Sequence, residues 1–180
     1  MSRVHLLIGP VGAGKSTYAT TLADHLPGVR LTLDDWMSAL YGDDPRPPDR
    51  MAWYAERTER CLGLIRELME RMVATGPDVV AEIGLVRRDA RLAFYDWADA
   101  RGLPLEVLLV DAPRAVRRER VLRRNEERGP TFHTVVPPEF FELASDAWQP
   151  PDRAERRERR MRLVWEGVDR GPVPEDWICD

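Results

Sequence analysis

Eight residues near the start of the chain, 9–16, constrain its fold more than any other stretch. They read GPVGAGKS and fit the pattern GxxxxGKS, in which a glycine-rich loop joins a buried strand to a helix. The preceding residues 4–8 form an apolar run, and residues 17–26 place apolar side chains on one helical stripe. A chance glycine turn is the alternative, but both flanking elements are of the required type. We therefore predict a phosphate-binding loop.

The residue types in this loop suit a polyphosphate. Glycines at positions 9, 12 and 14 allow backbone conformations that turn successive N–H groups inward. The helix that follows adds unpaired donors and a partial positive charge. The pattern predicts that Lys15 contacts the β- and γ-phosphates of a bound nucleotide, that Ser16 binds Mg²⁺, and that Thr17 lies near the α-phosphate. The predicted nucleotide site comprises Gly9, Val11, Gly12, Ala13, Gly14, Lys15, Ser16 and Thr17.

Length and composition favour one α/β domain over residues 1–180. The chain is 43% hydrophobic and carries a net charge of −4, which argues against a protein that coats nucleic acid non-specifically. Cys61 and Cys179 show no metal-ligand spacing. Because we find neither a signal-peptide pattern nor an apolar run long enough to span a membrane, we expect a cytoplasmic protein without a membrane partner.

Strand and helix patterns alternate along the chain. Strands are predicted at 4–8, 29–33, 78–84, 105–110 and 161–165, with helices between them and a loop from residue 171 onward. Such alternation gives crossover connections, and therefore a parallel sheet with helices on both faces. The second strand is followed by Asp34 and Asp35, and ligands of such sheets bind at the carboxyl ends of strands.

Two segments are candidates for binding the reactants. A loop at 41–48 and a long helix at 49–74 form most of a predicted acceptor lobe at about 36–75, although most of the apolar face of that helix is also explained as core. A predicted lid spans about 120–150. Its first part is rich in arginine, and Arg117, Arg120, Arg124 and Arg128 fall on one helical face. A solvated face paired with glutamates is the alternative, but the phosphate loop favours contact with phosphates.

Taken together, these features resemble the P-loop kinases typified by polynucleotide 5′-hydroxyl kinases, with their small-molecule and zeta-toxin-type relatives among AAA-type ATP-binding proteins. Three blocks carry the resemblance: GPVGAGKSTYA at 9–19, LDDW at 33–36 and RRNEERG at 123–129. The resemblance implies a three-layer P-loop NTPase fold with a five-stranded parallel sheet of order 2-3-1-4-5 and an arginine-rich lid. It also implies ATP and Mg²⁺ as cofactors.

The same resemblance implies roles for particular side chains. Asp34 matches the general base that takes the proton of the acceptor hydroxyl, with Asp35 as the fallback. Arg124 and Arg128 match the lid arginines that hold the donor phosphates, and Arg120 is a weaker candidate. Glu82, at the end of the third strand, matches an acid that orients an arginine or a metal-bound water.

The acceptor is the least constrained part of this interpretation. Trp36 and Met37 stand near the place where polynucleotide kinases carry a basic residue, and they suit an apolar or stacked acceptor. A nucleic-acid 5′-hydroxyl stays possible, because Arg87, Arg88 and Arg91 could hold its phosphate. The predicted acceptor-binding residues are Asp34, Asp35, Trp36, Glu82 and Arg88. We predict a kinase acting on a small molecule, nucleoside or nucleic-acid hydroxyl; the alternative is a nucleotide-binding regulator that acts through a protein partner.

Overall fold

The computed structural model describes residues 2–45, 47–129, 132 and 134–178. Within these ranges the strands are β1 (Val4–Ile8), β2 (Gly28–Thr32), β3 (Asp78–Glu82), β4 (Leu105–Asp111), β5 (Arg162–Trp165) and β6 (Val168–Pro172). The helices are α1 (Lys15–His25), α2 (Leu33–Tyr41), α3 (Arg50–Thr75), α4 (Arg88–Ala100), α5 (Arg114–Glu127), α6 (Pro138–Ala147) and α7 (Arg153–Glu158). Four predicted positions lie outside the described residues: position 46 of the 41–48 loop and positions 130, 131 and 133 of the lid; Cys179 also lies outside them.

The strands form a single sheet in the order β2-β3-β1-β4-β5-β6. The first five are parallel in the predicted order, so the predicted α/β class and topology are confirmed. The strand count is corrected from five to six, because β6 pairs antiparallel with β5. Residues 171 and 172, predicted as loop, belong to β6.

The sixth strand was missed because its local signals are weak. Glu166 and Gly167 connect β5 to β6 and have φ angles of 53° and 87°, as a two-residue hairpin turn requires. Asn-Gly or Asp-Gly is the usual signal for such a turn, and Glu-Gly is not. Strand β6 is also largely exposed and shows no apolar alternation.

Helices cover both faces of the sheet. Strand β1 is buried along its whole length, and the pleat turns Leu6 toward one face and Leu7 toward the other. The core on the face of Leu7 includes Ala19 of α1, whereas the core on the face of Leu6 includes Ile65 of α3 and Phe94 of α4. Because both faces are packed, the ligand cleft can open only at an end of the strands. Within the described ranges no helix has the length and apolarity to cross a bilayer.

Helix α3 buries a narrower face than the sequence pattern predicts. Cys61, Ile65 and Met69 lie in the core, as helical spacing requires. Near the start of the helix, however, Met51 and Tyr54 are 80% and 44% exposed, although helical spacing places them on the same apolar face. The first turns of α3 therefore extend beyond the sheet, and only the later turns pack against it.

A buried ion pair joins α4 to α7. Arg91 donates from Nε to Oε1 of Glu155 at 2.7 Å and from Nη2 to Oε2 at 3.1 Å, and Tyr95 donates to the same carboxylate at 3.2 Å. Burial, with the neighbouring Glu155 charge second, raises the pKa of Tyr95, so this hydroxyl remains a donor. Mixed arginines and glutamates such as those of residues 153–160 are typical of an exposed segment, but Glu155 is buried here because its carboxylate pairs with Arg91.

We predict that Glu155→Gln lowers the free energy of unfolding by about 3 kcal/mol, because it leaves the buried Arg91 charge without a carboxylate. Urea unfolding measures this change. The matched control is Glu67→Gln, which breaks an exposed i,i+4 pair of 3.7 Å with Arg71 and is expected to change stability by less than about 0.5 kcal/mol. Equal effects of the two substitutions would contradict the structural importance of the buried pair.

Candidate active site

A cleft of about 920 Å³ opens at the carboxyl ends of the parallel strands. Gly9 and residues 11–17, the whole predicted nucleotide site, line it. Asp34, Glu82, Arg120 and Arg124 line the same cleft. The structure thus brings the phosphate loop, the predicted base and two lid arginines to one place, although they are distant in sequence.

The glycines of the loop permit two features that a side chain would prevent. Gly14 caps α1 with a φ of 98°, which directs the chain into a helix beginning at Lys15. Gly12 has a φ of 75°, and a Cβ built there would lie 2.6 Å from the carbonyl oxygen of Arg117. Only glycine therefore lets the loop approach α5 this closely.

Lys15 is a partly buried cation and Glu82 is a buried carboxylate, and both line the cleft. Burial lowers the pKa of Lys15, and the negative charges of Glu82 and Asp34 oppose this. Burial likewise raises the pKa of Glu82, and Lys15 and a hydrogen bond from Ser16 oppose that shift. Each group therefore favours the charged form of the other. The Lys15 Nζ donates to the carbonyl oxygens of Gly9 at 3.0 Å and Pro10 at 2.8 Å.

Ser16 and Glu82 together offer oxygen atoms suited to Mg²⁺. Ser16 Oγ donates to Glu82 Oε1 at 3.0 Å, and Glu82 Oε2 is buried without a hydrogen-bond partner among the described residues. Mg²⁺ prefers oxygen ligands and is commonly held by one or two protein groups together with phosphates and water. No cluster of three or more acidic, histidine or cysteine ligands occurs in the described part of the chain. The donor set therefore fits a metal that is shared with a bound nucleotide.

The two aspartates after β2 have different surroundings. Both lie in the first turn of α2, where the helix dipole favours a negative charge. Asp34 is exposed and faces the cleft, whereas Asp35 forms an ion pair of 2.6 Å with Arg30 of β2. Asp34 is therefore the acid that can meet a bound acceptor.

The four arginines that the sequence places on one helical face, Arg117, Arg120, Arg124 and Arg128, separate into three groups. Arg120 and Arg124 line the cleft, and Arg120 Nη1 donates to the carbonyl oxygen of Ala13 at 3.3 Å. Burial lowers the pKa of Arg124, and the charges of Asp34 and Glu82 oppose this shift, so its guanidinium lies in the field of both acids. Arg128 ends the helix with a φ of 47° and places its guanidinium 5.6 Å from the centre of the Phe132 ring, outside the cleft lining.

Arg117 forms the third group, and it supports the site without lining the cleft. It is buried, and it donates to the carbonyl oxygens of Ala112 at 2.9 Å and Val11 at 3.2 Å, and to Ser145 of α6 at 3.3 Å. The end of β4, the phosphate loop and α6 are thereby held around one side chain. Helical spacing groups Arg117 with the arginines that are predicted to contact phosphate. Only the burial of its side chain distinguishes Arg117 from them.

Several predicted acceptor contacts lie elsewhere. Trp36 and Met37 pack in or against the core rather than in the cleft, because the first turn of α2 rotates them toward the sheet. Arg88 pairs with Asp152 at 3.2 Å, and Arg91 is occupied by the buried Glu155. The structure does not bring these side chains to the cleft.

Other cleft residues were not singled out from the sequence. They are apolar or small residues of the β3–α4 loop and of α6, together with the β5–β6 turn: Gly84, Leu85, Val86, Ala144, Ala147, Glu166 and Gly167. Apolar residues at such positions read equally well as core. Their position at the end of a strand was the only signal that could have identified Leu85 and Val86.

We predict that Gly12→Ala lowers the free energy of unfolding by about 1 to 3 kcal/mol and weakens ATP binding at least about tenfold, because the loop must move away from α5. Urea unfolding and titration calorimetry with ATP measure the two effects. Gly63→Ala is the control, since a Cβ there has no neighbour within 4 Å; it should stabilise α3 by about 0.5 to 1 kcal/mol and leave ATP affinity unchanged. Identical behaviour of the two variants would contradict the proposed constraint.

Comparison with known proteins agrees with this geometry. A family model described as an AAA domain matches residues 4–139, and no curated protein matches the chain. The crystal structure of Chaetomium thermophilum Kti12 in complex with ADP-AlF3 is similar, with a TM-score of 0.66 and 17% identity over 90% of this chain and 88% of that one.

Two further structures show the same fold. An unliganded sugar kinase from Janibacter sp. HTCC2649 has a TM-score of 0.59 at 15% identity, over 98% of this chain and 89% of that one. A chain of the Pnkp1/Rnl/Hen1 RNA repair complex has a TM-score of 0.59 at 17% identity, over 81% of this chain and 43% of that one. Because the family model matches residues 4–139, which is most of the sequence, the chain belongs to the AAA domain family.

Proposed function

We propose that this protein is a kinase that transfers the γ-phosphoryl group of ATP to an acceptor hydroxyl. The observation that carries the proposal is that Lys15, Asp34, Glu82 and Arg124 face one cleft above the phosphate loop. A nucleotide-binding site alone requires the loop, whereas phosphoryl transfer also requires a group that aligns the acceptor and cations over the transferring group. In this proposal Asp34 is the group that aligns the acceptor, and Lys15 and Arg124 are the cations.

The phosphate loop and α1 hold the triphosphate. Main-chain N–H groups at the start of α1 bind phosphate oxygens, as helix N-termini do. Lys15 Nζ exchanges its bonds to the carbonyl oxygens of Gly9 and Pro10 for bonds to the β- and γ-phosphates. Ser16 and Glu82 would hold Mg²⁺, which supplies positive charge to the phosphates when bound.

Asp34 acts on the acceptor. Its carboxylate accepts the proton of the acceptor hydroxyl as the oxygen attacks the γ-phosphorus, the bond between the γ-phosphorus and its bridging oxygen breaks, and ADP leaves. Arg124 stabilises the charge that develops on the transferring group, and its place in the cleft lining beside Asp34 and Glu82 fits this role. Arg120 is the second cation on this side of the cleft.

The proposed organisation is a single kinase domain over residues 1–180, with an acceptor lobe at about 36–75 and a lid at about 120–150. Helices α2 and α3 supply the lobe, and α5 and α6 supply most of the lid. Arg128 belongs to the proposed lid but not to the cleft lining, so a contact with phosphate would require closure of the lid. Sugars, nucleosides and 5′-hydroxyl oligonucleotides are acceptors to compare first, because a sugar kinase and an RNA repair complex share the fold.

We predict that Asp34→Asn lowers acceptor phosphorylation by roughly 10²-fold or more and leaves ATP affinity nearly intact, because an amide cannot take the proton. Phosphorylated product and calorimetric ATP binding are measured. Asp35→Asn is the matched control, since its side chain pairs with Arg30 away from the cleft. Unchanged turnover in Asp34→Asn would remove this residue from the mechanism.

ATP turnover that no acceptor stimulates would favour a regulator acting through a protein partner.

A second prediction separates the two lid arginines. Arg124→Ala is expected to lower kcat by roughly 10²- to 10³-fold, because the guanidinium stabilises charge in the transition state. Arg128→Ala is expected to lower kcat by less than about tenfold, because Arg128 lies outside the cleft lining. Steady-state kinetics with saturating ATP measure both. A larger loss in Arg128→Ala than in Arg124→Ala would contradict the assignment drawn from the cleft.

A further inference from the structure

Sheet order divides the cleft into two ends. Strands β2 and β3 lie on one side of β1 and its phosphate loop, and β4 and β5 lie on the other. Asp34 follows β2 and Leu85 and Val86 follow β3, so they share one end, whereas Glu166 and Gly167 follow β5 at the opposite end. The end with Asp34 is where an acceptor must bind if this aspartate takes its proton.

The wall of this acceptor end is apolar and fixed. Val86 is held through its carbonyl oxygen, which accepts from the main-chain N–H of Gln149 at 3.1 Å and from Arg91 Nη1 at 3.2 Å. Gln149 also accepts from the main-chain N–H of Arg88 through its side-chain oxygen at 2.8 Å. These bonds join the β3–α4 loop to the end of α6, where Ala147 lines the cleft. The loop and the helix therefore present one continuous surface.

Helix α6 extends this wall outward. Phe140, Leu143, Ala144 and Ala147 fall within an arc of about 100° on the helix, because each residue turns the chain by about 100°. Ala144 and Ala147 line the cleft. Phe140 and Leu143 lie one turn earlier on the same arc and are 56% and 67% exposed. This arc, Phe140 to Ala147, forms an apolar strip that leads from the surface into the cleft.

The other faces of α6 are already occupied. Phe141 is buried, and Ser145 accepts a hydrogen bond from Arg117. Glu142 pairs with Arg114 at 2.6 Å, and Asp146 pairs with the same guanidinium at 2.7 Å. Among the described residues, the apolar strip is thus a face of α6 whose outer side chains, Phe140 and Leu143, have no covering partner.

Neutral polar side chains suited to a sugar are few in the cleft. Counted over the described residues, they all belong to α1: Ser16, Thr17, Tyr18 and Thr21. The wall formed by Leu85, Val86 and Ala147 offers no side-chain hydrogen-bond partner to a polyol, and burying a hydroxyl group against it is costly. Arg87 lines this end, but its guanidinium is bound to both carboxylate oxygens of Asp89, at 3.0 and 2.6 Å. A phosphate on the acceptor would have to displace that pair.

We propose that the acceptor is an alcohol with an aromatic or alkyl body, which packs on Leu85, Val86 and the apolar strip of α6 while its hydroxyl reaches Asp34. This inference rests on the proposed kinase function and specifies its substrate class. The site binds the body by hydrophobic burial and the hydroxyl by a single carboxylate. The site disfavours sugars, nucleosides and oligonucleotides, because its apolar wall offers no side-chain partner to their polar groups.

A matched pair of acceptors tests the inference through kcat/KM. Glycerol and 3-phenoxypropane-1,2-diol present the same primary hydroxyl and differ in the phenyl group. Burial of that ring is expected to raise kcat/KM about 10- to 100-fold. Gluconate, adenosine and an oligonucleotide with a free 5′-hydroxyl should fall below the phenoxy compound. Equal kcat/KM for glycerol and the phenoxy compound, or a higher value for any of the three polar acceptors, would overturn the inference.

Variants locate the effect on α6. Phe140→Ser and Ala147→Asp are expected to lower kcat/KM for the phenoxy compound about tenfold or more, and to change that for glycerol far less. Ile178→Ser is the control, because Ile178 is 83% exposed, follows β6 and lies outside the cleft lining, the acceptor lobe and the lid. It should leave both acceptors unaffected. A loss shared by both acceptors, or an equal loss in the control, would place the apolar binding site elsewhere and overturn the assignment.

A binding measurement separates this inference from the kinase proposal. Saturation-transfer NMR is used to detect 3-phenoxypropane-1,2-diol on the protein saturated with a non-hydrolysable ATP analogue. Binding that is lost in Ala147→Asp, without turnover of any acceptor, would refute the kinase and support the apolar site. Turnover of polar acceptors without phenoxy binding would support the kinase and refute the apolar site. If neither turnover nor binding is seen, both proposals fail.

Discussion

The mutual stabilisation of Lys15 and Glu82 is the interaction on which this site depends. Each charge is partly withdrawn from water, and desolvation disfavours the charged form of each group. Each favours the charged form of the other, and Ser16 adds a hydrogen bond to the carboxylate. A partly buried, pre-positioned ammonium is thus available to phosphates without the loop having to assemble it.

This arrangement in turn requires a particular backbone. Lys15 starts α1 directly after Gly14, and Glu82 ends β3, the strand next to β1 in the sheet. The parallel register brings both to the same edge, and the absence of a side chain at Gly12 lets the loop reach α5. Arg117 then joins the loop to α6 through buried hydrogen bonds. The lid is therefore attached to the loop that it is proposed to cover.

Much of this could be predicted from sequence, because the signals are local or depend on topology alone. The phosphate-loop pattern determines its own geometry, and strand–helix alternation determines parallel pairing, whereas the strand order came from the resemblance to P-loop kinases. Since parallel strands end at one edge, the position of Asp34 after the second strand was enough to place it in the cleft. Glu82 was identified through the same resemblance, which implies an acid at the end of the third strand.

What could not be predicted depends on contacts between distant segments. The pairing of Glu155 with Arg91 spans more than sixty residues, and Glu155 lies in a stretch whose charges read as exposed. The outward rotation of Arg128 depends on how α5 ends. The apolar strip on α6 resembles ordinary core in sequence, and only the uncovered positions of Phe140 and Leu143 distinguish it. Strand β6 lacks both a typical turn sequence and an apolar pattern.

The most direct test of the account is a crystal structure with Mg²⁺ and a non-hydrolysable ATP analogue. The account predicts that Lys15 Nζ leaves the carbonyl oxygens of Gly9 and Pro10 for the β- and γ-phosphates, with the carboxylate of Asp34 facing the terminal phosphate and Arg124 beside it. An analogue bound away from the loop, or Asp34 and Arg124 turned away from the terminal phosphate, would contradict it.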